Sequence, residues 1–72
     1  MNQDEYQVFA FLFKLLKQCD NDPLAMMRKL DDYIDMYDYR ISGRKDDETY
    51  QAIDKLLSLK KEQQRMIIKA VL

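Results

Sequence analysis

The 72-residue chain sets 12 Lys and Arg against 13 Asp and Glu, a formal net charge of −1, and holds one cysteine and no histidine. That length admits one domain, and the lone Cys19 excludes an intrachain disulfide. No apolar run approaches the ~20 residues that span a bilayer, and the lack of histidine removes the commonest general base and metal ligand.

A monomer of this size buries only ~60% of the surface its unfolded chain exposes, so pairing with a second copy is the expected source of added stability. The start, Asn2-Gln3-Asp4-Glu5, places no basic region ahead of an apolar one. A secretory signal needs that order, so a soluble cytoplasmic protein is expected. The charge is unevenly spread. Residues 1–43 carry five basic and eight acidic side chains, whereas residues 55–72 carry five basic groups against Glu62 alone. A basic end on an acidic chain suits nucleic acid or an acidic protein surface, and it is equally an ordinary solvated helix face.

Pro23 and Gly43 divide the chain into three helical segments, expected at about 4–19, 23–41 and 47–71 of a single 1–72 domain. In the first, Asn2 or Asp4 can serve as N-cap. Tyr6, Phe9, Phe13 and Leu16 recur at spacings of three and four, and Val8, Leu12, Leu15 and Cys19 form an adjacent stripe. With Phe11 added, the helix is apolar around most of its circumference and needs covering on most sides. This predicts a homodimer with Tyr6, Phe9, Leu12, Phe13 and Leu16 at its seam.

Asp22 followed by Pro23 reads as an N-cap and first helical position. The second helix carries Leu24, Met27, Leu30, Ile34, Tyr37 and Ile41 on one side and Asp31, Asp32, Asp35 and Asp38 on the other. Gly43 is placed to close it as a left-handed C′ residue. Asp46 or Asp47 can cap the third helix, whose stripe is Tyr50, Ile53, Leu56 and Leu57, reaching Leu59. No glycine or proline follows, so one helix of ~1.5 Å rise per residue is expected to run on to near Leu72, close to 40 Å long. Its last part, residues 60–72, begins with the polar run Lys60–Arg65 and ends with Met66, Ile67, Ile68, Val71 and Leu72. It should protrude as a partner-binding end.

Catalytic chemistry is not legible. One glycine cannot build a phosphate-cradling loop. Asp20-Asn21-Asp22 opens like a calcium loop, but Pro23 and Ala25 stand where that loop needs a ligand and a glycine. The aspartates of the second helix read as a solubilising face, not as paired acid and base. No enzyme activity and no cofactor or metal is expected.

The terminal residues Arg65-Met66-Ile67-Ile68-Lys69 form an Arg-x-Ile-Ile-Lys pattern. With the chain's size and helical layout, this pattern resembles the small capsid morphogenesis (internal scaffolding) proteins of staphylococcal pathogenicity islands, satellites that redirect a helper phage to build smaller shells. The resemblance implies a helix-loop-helix homodimer whose C-terminal helix binds the inner face of the helper's major capsid protein. It would work in the host cytoplasm and transiently inside assembling procapsids. Ile67 and Ile68 would be the anchors, Arg65 and Lys69 the charged flanks, with Met66, Val71 and Leu72 completing the contact. The alternative is a small regulatory module that binds a transcription factor or DNA through Lys55, Lys60, Lys61, Arg65 and Lys69. The segment lacks the Asn and aromatic contacts that read bases, which counts against sequence-specific DNA binding.

Overall fold

The structure, a computed structural model, describes the backbone of residues 1–40 and 48–72 and the side chains of all of these but 38–40. The described residues form four α-helices and no strand: α1 (Gln3–Gln18), α2 (Pro23–Arg40), α3 (Glu48–Ser58) and α4 (Lys61–Val71). The all-α class agrees with the sequence reading, with four helices in place of three. The expected contributions of Ile41, Gly43, Asp46 and Asp47 lie outside the described residues.

A capping box starts α1. Asn2 Oδ1 accepts from the Glu5 backbone N–H at 2.8 Å, and Glu5 Oε1 accepts from the Asn2 N–H at 2.9 Å. Two of the donors every helix start leaves over are thereby satisfied, which lets the Glu5 carboxylate be buried. At the other end, the Asn21 N–H reaches back to the Leu16 carbonyl and the Asp20 N–H to the Lys17 carbonyl. This is a Schellman closure built without glycine, and Asp20 (φ 55°) and Asn21 (φ 61°) hold the left-handed region themselves. Asp22 Oδ1 then accepts from the Leu24 N–H at 3.0 Å, capping α2 ahead of Pro23 as its residue order predicts.

The other three helices pack around α1. Its buried side is Val8, Leu12, Leu15 and Leu16, joined by Met26 and Leu30 of α2, Ile53 and Leu56 of α3, and Ile67 and Val71 of α4. The α2 stripe is centred differently from its expected line, because Met26 is fully buried while Leu24 is exposed. Met26, Leu30, Tyr33 and Tyr37 recur at three to four residues, and their line sits to one side of Leu24. Leu57 of α3, expected in the core, is also substantially exposed. Tyr37 ties α2 to α3: its hydroxyl donates to Asp54 Oδ1 at 2.6 Å, and its ring lies 5.7 Å from that of Tyr50.

The expected continuous helix over 47–71 is interrupted at Leu59–Lys60. The Leu59 N–H is shared between the Lys55 and Leu56 carbonyls, and Lys60 is extended at φ −68°, ψ 154°. Neither glycine nor proline is required, since two glutamines satisfy the freed backbone groups. Gln63 Oε1 accepts from the Lys60 N–H at 3.0 Å, and Gln64 Nε2 donates to the Leu56 and Leu59 carbonyls at 2.7 and 3.2 Å. Ser58 Oγ donates to the Asp54 carbonyl at 2.8 Å, a back-bond that weakens the last turn of α3. Burial supplies the driving force. The 16 residues of α1 are only ~24 Å long, so a straight extension would carry Ile67 and Val71 past its end. Turning back returns both to the core at about 1.5–3 kcal/mol each. The longest dimension of the molecule is accordingly 32 Å, less than the uninterrupted helix alone would need.

Candidate functional site

The terminal helix is divided between core and surface. Ile67 is fully buried, Val71 nearly so, and Ile68 packs half-buried against the same cluster. The other residues expected to meet a partner, Arg65, Met66, Lys69 and Leu72, are exposed. This corrects the expectation of a protruding 60–72 segment: the segment is a helix of the domain, packed chiefly on α1, and its isoleucines are its anchor to the chain's own core. The outer face of α4 therefore has Lys61, Arg65 and Lys69 spaced by one turn, with Met66 and Leu72 beside them. Lys60 is exposed just ahead of the helix.

The residues expected at a dimer seam divide in the same way. Leu12 and Leu16 are buried inside the chain, where α1 meets its own neighbours, while Tyr6 (64% exposed) and Phe13 (45%) face outward and Phe9 is half-buried. The three rings form a ladder with centroid spacings of 6.5 and 6.1 Å, and Lys17 Nζ sits 5.2 Å from the Phe13 centroid. That ladder is an exposed aromatic stripe along α1, closed at one end by a cation–π contact.

Other chemistry is sparse. Among the described residues no group of three or more His, Cys, Asp or Glu is placed to hold a metal ion. No buried side-chain nitrogen or oxygen among them lacks a hydrogen-bond partner. Their one salt bridge joins Lys55 to Asp4 at 3.3 Å on the surface, which takes Lys55 away from the basic face expected of the third helix. A groove of about 560 Å³ runs between α1, Tyr33 of α2 and the start of α3. Its polar lining is chiefly amides, with Lys14 and Glu48 the charged groups among them, and it does not include Asp31 or Asp35. No helix among the described residues is long and apolar enough to cross a membrane.

The fold and its exposed faces define a small all-α domain whose distinctive surfaces are one aromatic stripe on α1 and one basic ridge with apolar company on α4. Comparison with protein-family models, curated proteins and solved structures finds no match for this chain.

Proposed function

We propose that the chain is a non-enzymatic internal scaffolding module that binds the inner face of a phage major capsid protein through α4 and directs assembly of small shells. The observation that carries this reading is the outer face of α4. Arg65 and Lys69 lie one turn apart, with Met66 and Leu72 exposed around them, on a helix held from beneath by Ile67 and Val71. The Arg-x-Ile-Ile-Lys pattern thus divides its labour. Its charged ends meet the partner and Ile67 holds the helix on α1. The chain's size and that pattern support the scaffold reading over other binding roles.

One contact of this size is weak, and weak contacts suit an assembly where many copies act together, since avidity multiplies small affinities. Two copies pair through Tyr6, Phe9 and Phe13, the part of the α1 seam left outside the core. The protein works in the host cytoplasm and transiently within procapsids. The test is co-purification with the capsid protein of a helper phage, comparing wild type with Arg65→Glu plus Lys69→Glu. Loss of co-purification and of small shells by a variant with unchanged circular dichroism is expected; unchanged binding refutes the reading. A second reading rests on the four exposed cations Lys60, Lys61, Arg65 and Lys69: a regulatory module that binds DNA or an acidic transcription-factor surface. Steeply salt-dependent DNA binding, lost on changing Lys60 and Lys61 to alanine, would favour it.

A further inference from the structure

Two exposed ridges that do not meet within one chain match each other in order. At 100° per residue, Leu24, Asp31 and Asp35 lie within about 40° of one another on an exposed side of α2, about 100–140° around from Leu30. Lys61, Arg65 and Leu72 likewise lie within about 40° of one another on an exposed flank of α4, bordering the half-buried Ile68. All six are exposed, Leu24 by 63% and Leu72 by 58%. None of the four charged members has an ion-pair partner among the described residues, whose one salt bridge is Lys55–Asp4.

Counted forward from Leu24, the acids stand 7 and 11 residues on; counted back from Leu72, the cations stand 7 and 11 residues back. Laid antiparallel, the two ridges bring Leu24 to Leu72, Asp31 to Arg65 and Asp35 to Lys61, at steps of ~10.5 and ~16.5 Å along both helices. The parallel arrangement fails on the same residues. It sets Leu24 against Lys61, Arg28 against Arg65 and Asp35 against Leu72. In the antiparallel pairing the like-charge approaches are Arg28 toward Lys69 and Asp35 toward Glu62, and each is offset on its own helix, Arg28 by Asp31 and Asp32 and Glu62 by Arg65, within one turn. Glu62 lies about 60° from Arg65, beside Lys69 on the side of α4 opposite Val71.

We propose that the α2 ridge of one copy docks antiparallel on the α4 ridge of a second copy. The two patches differ, so one copy of such a pair keeps a free α4 ridge and the other a free α2 ridge, and the association is head-to-tail. This inference does not rest on the scaffold reading, though it supplies what a scaffold requires, a self-contact that repeats. It also makes any one α4 face hold either an α2 ridge or another partner at a time.

The test is sedimentation velocity with an NMR dilution series on the full chain, at about 0.05 M and about 1 M salt, where screening lengths differ several-fold. Wild type should grow in mass at low salt beyond any pairing through α1 and lose that extra growth at high salt, with the salt-sensitive amide shifts confined to residues 24–36 and 61–72. Asp31→Lys plus Asp35→Lys, and separately Lys61→Glu plus Arg65→Glu, should each weaken the association at least tenfold. Mixing the two variants, or combining all four changes in one chain, should restore it. Wild-type growth that is indifferent to salt, shifts confined to Tyr6–Phe13, or charge reversal without effect overturns the proposal. The two readings fail separately, because the α2 variant removes the α2–α4 contact while leaving the α4 face intact for a capsid protein.

Discussion

The side-chain amide of Gln64 lies 2.7 Å from the carbonyl oxygen of Leu56, joining the first turns of α4 to the last turn of α3. The Leu56 carbonyl also accepts from the Leu59 N–H, so one side chain of the second helix adds a donor there and supplies one to the Leu59 carbonyl within the two-residue break. Replacing Gln64 with alanine removes that donor from both part-buried carbonyls, of which Leu56 keeps the Leu59 N–H, at a cost of about 0.5–1.5 kcal/mol. Thermal unfolding should show a fall of roughly 4–8 °C per kcal/mol for a domain this small. An unchanged midpoint would mean that the break is held by burial alone.

Ile67 and Met66 are neighbours in sequence with opposite environments, one fully buried and the other 47% exposed. Ile67→Ala should destabilise by about 2–5 kcal/mol, much of the stability available to so small a core. Met66→Ala should stay within about 0.5 kcal/mol of wild type. Urea unfolding of both variants separates an anchor from a contact face. Equal effects would contradict the placement of α4.

Asp20 and Asn21 hold left-handed backbone where glycine is the usual occupant. A glycine at either position removes steric cost, partly offset by its freer unfolded chain, so Asp20→Gly should be neutral or stabilise by up to about 1 kcal/mol. Asn21→Val should destabilise, since a β-branched residue tolerates positive φ poorly. Both are read from midpoints of chemical denaturation.

The hydroxyl of Tyr37 donates to Asp54 and that of Tyr50 to the Met36 carbonyl, both linking α2 to α3, and the first is the shorter at 2.6 Å against 3.3 Å. Tyr37→Phe keeps the ring against Tyr50 and removes that bond, for an expected loss of about 0.5–1.5 kcal/mol. Hydrogen exchange should rise first in the amides of α2 and α3. A rise confined to α4 would place the coupling elsewhere.

Much of this architecture is written in local pattern. Asn2 with Glu5 three residues on, Asp22 before Pro23, and apolar spacings of three and four determine where α1 begins, where α2 begins, and which sides carry apolar residues. Those signals are short-range, and the structure uses them as they stand. The break at Leu59–Lys60 is not legible in the same way. Its N-cap is a lysine, its caps come from the side chains of Gln63 and Gln64, and neither residue type marks a helix end by itself. What decides it is the length of α1 and the burial that Ile67 and Val71 gain by turning back, and both are tertiary quantities. The same competition assigns Leu12 and Leu16 to the chain's own core, leaves Tyr6 and Phe13 outside, and turns an apparent free end into the fourth helix. Sequence determined which residues are apolar or charged; packing against α1 decided which of them still face a partner.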